Sequence, residues 1–196
     1  MARTERERDE DDSGESSAAD IRVRLERLSR LIRQGGHAGG LLPVHWEILR
    51  FLARASRHAA APGGITAYLA LTKGTTSQSL SQLVRKGLVT RQKLAADARQ
   101  QRLGLTPAAH ALLAKDPLLT LEAAIASLGG KTRRRLDRGL ADLLDQQIRQ
   151  QELARFGTCE SCKLLLTGDG GTFCGKDKLP LSAAELGLLC SAHTPA

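Results

Sequence analysis

LSQLVRKGLVTRQKLAADARQQRLGLTPAAHALL, residues 80–113, is the stretch whose reading decides the fold. Leu80, Leu83 and Val84 recur at helical spacing, and Gly87 stands where a helix ending at Lys86 needs a residue free to turn left-handed. Two strand-like runs, 88–94 and 101–106, flank the polar AADARQ and read as a β-hairpin with a basic tip. Thr106-Pro107 restarts helix, with Thr as cap and Pro at the first helical position. A helix that runs directly into such a hairpin predicts a wing.

Upstream, ITAYLALTKGTTSQSL (65–80) predicts two short helices parted by a turn at Thr72-Lys73-Gly74, the second spanning Thr75 to Lys86. With Leu80, Leu83 and Val84 inward, Thr76, Ser77, Gln78, Ser81 and Gln82 face outward, which is a helix-turn-helix signal. Pro43 opens an earlier helix with Trp46, Ile48 or Leu49, and Leu52 as its stripe. Before it, a helix follows Asp20, the expected N-cap, and stops at Gly35-Gly36.

Downstream, residues 107–128 are helical with a break near Asp116-Pro117, and 130–155 carry Leu136, Leu140, Leu143, Leu144, Ile148 and Leu153 at helical spacing. That stripe is long for the core left to bury it. It implies helix-to-helix dimerisation across a two-fold axis, which is compatible with packing on the first helix. The expected fold class is mainly α with a small β-wing: a winged helix-turn-helix with long dimerisation helices and a small metal-binding tail. The expected units are a disordered acidic tail at 1–19, a DNA-binding and dimerisation domain at 20–156, and a Cys-rich module at 157–196.

The net charge of +8 is unevenly placed. Residues 1–20 carry 3 basic and 8 acidic groups, 21–106 carry 15 and 3, and 107–196 carry 11 and 10. The middle segment, at +12, reads as a polyanion site with double-stranded DNA as the first candidate. No apolar run approaches a membrane span and the N-terminus lacks a secretory pattern, so the expected setting is the reducing cytosol without a membrane partner. No Ser/His/Asp or paired-carboxylate constellation stands out, so no enzyme is expected.

Gly87-Leu88-Val89, Arg91, Asp97, Arg99 and Leu105-Thr106, in that order, resemble the MarR family of winged-helix transcription regulators over roughly residues 20–155. Val84 and Ala109 depart from the acidic residue and the glycine frequent there, both at packing positions. The resemblance implies a homodimer on a pseudo-palindromic operator, a repressor before an activator, with a recognition helix in each major-groove half-site and a wing in each flanking minor groove. A small-molecule effector in a hydrophobic cleft is a further implication, and His45 beside Trp46 is the candidate lining.

Residue chemistry agrees with a DNA reader. Thr76, Ser77, Gln78 and Gln82 can exchange hydrogen bonds with base edges; Arg85, Lys86, Arg91 and Lys93 suit phosphates. Arg99 suits a narrow minor groove, with Asp97 orienting its guanidinium.

All four cysteines fall near the C-terminus, as Cys159-x2-Cys162-x11-Cys174-x15-Cys190, with His193 three residues after the last. The segment between them has too few apolar residues to fold unaided, so a metal is expected to hold it. The expected ligands are the four thiolates, with His193 as an alternative fourth ligand or a partner to the ligands. Zn²⁺ leads, as the more frequent occupant of short Cys-x-x-Cys modules; an iron–sulfur cluster is the alternative. A metal-free thiol–disulfide switch and a protein-interaction adaptor built on a zinc tail are the competing readings. His37, His45, His58 and His110 have no ligand-spaced partners in sequence and are expected to be surface or core residues. A sensing tail would act through the dimerisation helix it follows, by shifting the spacing of the recognition helices.

Overall fold

The computed structural model describes residues 17–94, 97–168 and 170–195, with the side chains of Leu94 and of residues 97–100 outside the description. Seven helices and a hairpin come first: α1 (Ala18–Gly35), α2 (Pro43–Arg54), α3 (Pro62–Tyr68), α4 (Lys73–Arg85), β1 (Val89–Leu94), β2 (Asp97–Leu105), α5 (Pro107–Leu113), α6 (Leu119–Ala126) and α7 (Gly130–Gln150). A second hairpin, β3 (Leu165–Gly168) and β4 (Gly171–Cys174), and the short α8 (Ala183–Leu186) complete the chain.

The core is the winged helix. Trp46, Ile48, Leu49 and Phe51 of α2, Ile65 of α3, Leu80 and Leu83 of α4, and Val89 and Leu103 of the hairpin are all buried in one cluster. Each fully buried aliphatic side chain stabilises by roughly 1.5–3 kcal/mol, so this cluster dominates the fold's stability. Val84 stays exposed, so the inward stripe of α4 is Thr76, Ser79, Leu80 and Leu83 instead.

Local chemistry places the boundaries. Thr72 caps α4 by accepting from Thr75 N, which starts the helix at Lys73 and draws the expected turn residues Lys73 and Gly74 into its first turn. Ser17, not Asp20, caps α1; Asp20 completes the capping box from its third position. Gly87 takes φ +68, as the helix-to-wing turn requires. A Cβ on Gly64 would collide with Ala59 O, so the tight entry into α3 needs glycine there. Thr106 Oγ1 donates to Gly87 O at 2.8 Å while accepting from Ala109 N, joining the wing's base to both neighbouring helices. The expected break falls between α5 and α6, where Asp116 accepts from Leu118 N and makes a two-pronged ion pair with Arg50 at 2.6 and 2.7 Å. The Arg50 guanidinium also lies over the Trp46 ring.

Outside this core, α1 and α7 are polar helices that each carry an exposed apolar stripe. Ile21, Val23, Leu28 and Leu31 of α1, and Leu136, Leu140, Leu143 and Leu144 of α7, are 38–62% exposed. Among the described residues nothing covers these four leucines of the stripe expected to dimerise, while Ile148 and Leu153 of the same stripe are half-buried.

Candidate DNA interface and cysteine centre

Helix α4 is held by its buried side and offers its other side to solvent. Ser77, Gln78, Ser81, Arg85 and Lys86 are exposed and Gln82 is half-buried. Thr76 departs from the expected outward face: it is 1% exposed, and its hydroxyl is joined to Thr66 Oγ1 at 2.9 Å. Position 76 lies one turn before Leu80 and shares its inward direction. On the wing, Arg91 and Lys93 are exposed, and Arg91 donates to Ser81 Oγ at 3.4 Å. Asp97 lies at the start of β2, but the side chains of Asp97 and Arg99 fall outside the described residues.

Arg57, Lys73, Ser77, Arg91, Arg102 and Lys176 line one open groove beside α4. Arg57, Lys73, Arg102 and Lys176 are not among the residues the sequence singles out. Lys73 was read as turn, and Lys176 reaches the groove only because the tail folds back.

That return is specific. Phe156, after α7, packs against Phe51 and Tyr68 with ring centroids 6.0 and 5.1 Å away. Leu189 lies beside the end of α2, where Ser56 N donates to Leu189 O at 2.7 Å and Leu189 N to Arg54 O at 2.6 Å. Arg57 donates to Glu185 at 2.7 Å and to Pro180 O at 3.0 Å. The Ser182 N–H and Arg57 hold the Glu185 carboxyl at about 2, well below its ordinary value. The tail therefore docks on the α2–α3 corner of the winged helix, a shorter route to α4 than the expected one through α7.

Cys159, Cys162, Cys174 and Cys190 line one small cavity together with His58 and Lys176. Each has a backbone reason to be there. A single tight turn, closed by Cys162 N donating to Cys159 O, presents the first two. The β3–β4 register puts Cys174 opposite Leu165, and Cys190 exchanges backbone hydrogen bonds with Gly157. Burial pushes the Cys159 thiol up, and the nearby Cys190, Cys174 and Cys162 push it further. Mutual repulsion of this kind is what a bound cation relieves.

His193 does not line this cavity. Its Nε2 lies 3.0 Å from Ser161 O and 3.1 Å from Ser161 Oγ, so the ring braces the Cys159–Cys162 turn. Its ring covers Gly157, where a Cβ would come within 2.6 Å.

His58 corrects the reading of the histidines. Its Nε2 lies 3.1 Å from Asp177 and 3.9 Å from Cys174 Sγ, and these three could hold a metal ion. Burial lowers the His58 pKa against the pull of Asp177, which favours the neutral ring a metal needs. The separation in sequence, 116 residues from His58 to Cys174, hid the pair. His45 is likewise no cleft lining: it is 2% exposed, and its Nδ1 accepts from Leu42 N at the start of α2.

Residues 39–100 match the MarR family. The fold is the MarR winged-helix fold. A MarR transcriptional regulator from Methanosarcina mazei Go1 is 23% identical, with a TM-score of 0.55 over 66% of this chain and 96% of that one. The S. aureus MepR–DNA complex is 19% identical, with a TM-score of 0.53 over 69% of this chain and 99% of that one. A variant of S. aureus MepR gives 18% and 0.54, covering 67% and 98%. No curated protein matches the chain. The matched family comprises DNA-binding regulators, not enzymes. Among the described residues no helix is long and apolar enough to cross a membrane.

Proposed function

We propose that this protein is a sequence-specific transcription regulator, a repressor in its simplest form, that binds double-stranded DNA as a homodimer and carries a metal- or redox-responsive cysteine module. One observation carries the reading: α4 turns Ser77, Gln78, Ser81, Arg85 and Lys86 to solvent, and its first turns, at Lys73 and Ser77, line a groove edged by Arg91 and Arg102 of the wing and Lys176 of the tail. Ser77, Gln78 and Gln82 are its base readers; Arg85, Lys86, Arg91 and Lys93 contact phosphates, and Arg99 with Asp97 serves the minor groove. The uncovered stripes of α1 and α7 supply the second copy's contact, which sets the spacing of two half-sites.

The module's ligands are Cys159, Cys162, Cys174 and Cys190, with zinc or an iron–sulfur cluster as occupant. Occupancy acts on DNA through the docking contacts at Ser56, Arg57 and His58, because these residues lead directly into α3 and the groove. The test is a binding titration on a random-sequence duplex pool across salt concentrations. Affinity should fall about tenfold or more as salt rises, with selection of a two-fold symmetric site. Salt-independent binding, or none, removes the DNA reading.

A further inference from the structure

The cysteine sulfurs are spaced too widely for one ion. A zinc ion bound by four thiolates at ~2.3 Å sets sulfur–sulfur edges of about 3.8 Å and fills the space between them. Among the described residues, no three of these cysteine sulfurs lie within 4.8 Å of one another. They stand around a small void of about 20 Å³ rather than against one another. Convergent thiols around a real gap call for an occupant with volume of its own.

Resting on the reading of the tail as a metal-holding module, we propose that this cavity takes a cubane iron–sulfur cluster, [4Fe–4S], with Cys159, Cys162, Cys174 and Cys190 each ligating one iron. A cube of alternating iron and sulfide places its four thiolates at separated corners, wider than a single-ion tetrahedron. The wall suits it. Leu164, Leu165, Leu181 and Ala192 line the cavity and shield sulfides from water. Lys176 and His58 are the polar groups on the same wall, and a lysine cation there offsets the cluster's negative charge. Lys176 also lines the groove beside α4, so one side chain borders both the cluster and the proposed DNA site.

The rival occupant is a single ion on His58, Cys174 and Asp177. That trio offers three ligands where a structural zinc takes four, and it leaves three thiols of the same cavity without a role. It also shares Cys174 with the cluster, so the two sites compete.

The test uses the full-length protein, stripped of metal and reconstituted without air with ferrous iron and sulfide, alongside a parallel sample given zinc. The cluster predicts about four irons and four sulfides per chain, a visible charge-transfer absorption and a paramagnetic signal on reduction. All four thiols should become protected from alkylation together. Cys190→Ser should lower iron retention at least tenfold, whereas His58→Ala should keep the wild-type stoichiometry. If Cys190→Ser fails to fold, thiol protection in the wild-type protein decides. About one tightly held zinc per chain that protects all four thiols and excludes iron would overturn the cluster but leave the metal module standing. Equal iron loss in His58→Ala and Cys190→Ser would assign the mixed site instead. Binding of neither metal would remove the metal-module reading along with the cluster.

Discussion

Trp46, Ile48, Leu49, Ile65, Leu80 and Leu83 of the winged helix are each 1% exposed or less, whereas among the described residues from 157 to 195 only Cys190 is buried. The first region is held by apolar packing around three helices and a hairpin. The second is held by short polar contacts: a three-residue turn, a hairpin of two four-residue strands, a one-turn helix, and ion pairs from Arg57 to Asp177 and Glu185. Residues that can converge on a cavity but cannot fill it with carbon need an occupant for stability. The comparison therefore assigns the two regions different vulnerabilities, and each can be attacked separately.

Chelation, or Cys162→Ser, should have the largest effect and the most local one. Amide protection should be lost across residues 157–195 while α2, α3 and α4 keep theirs, read by hydrogen exchange. Uniform loss through the whole chain would show one cooperative unit and end the contrast. Leu80→Ala should do the reverse, costing about 3 kcal/mol in denaturant unfolding of the winged helix. Asp116→Ala should cost about 2 kcal/mol, since it strips Arg50 of a two-pronged partner and Leu118 N of its acceptor.

Gln78→Ala should leave stability unchanged and remove about 1–2 kcal/mol of base discrimination at one operator position. The mildest perturbation is acid. Because Glu185 is held down to about 2 in the folded chain, against an ordinary value of 4.5, its docking contact contributes above pH 4.5. That contribution fades as pH falls from 4.5 toward 2. Glu185→Gln should flatten this part of an acid titration of module docking.

Much of the winged helix was legible because its determinants are local. Leu80 and Leu83 at helical spacing, Gly87 at the turn and Thr106-Pro107 at the restart each act on neighbours within a few residues. Thr76 was misplaced because a small polar residue carries no hydropathy signal for its side, and its partner Thr66 sits on another helix. The turn at Lys73 became helix because Thr72 caps it, a capping oxygen that the reading assigned to the loop.

The cysteine centre was legible only as spacing. Its position against the α2–α3 corner depends on Phe156 meeting Phe51 and Tyr68, and on His58 meeting Asp177 across more than a hundred residues. No local pattern encodes such pairings. His193 shows the opposite error, since ligand-like spacing from Cys190 suggested coordination, yet the ring is engaged by Ser161.

The central claim is that a DNA-reading winged helix is governed by the module docked beside its groove. The most direct test is fluorescence anisotropy on a selected operator duplex, titrated with metal-loaded and metal-stripped full-length protein at several salt concentrations. The account predicts steep salt dependence in both forms and an affinity difference of about tenfold or more between them. Identical affinities in the two forms would contradict the coupling and leave the module a structural appendage.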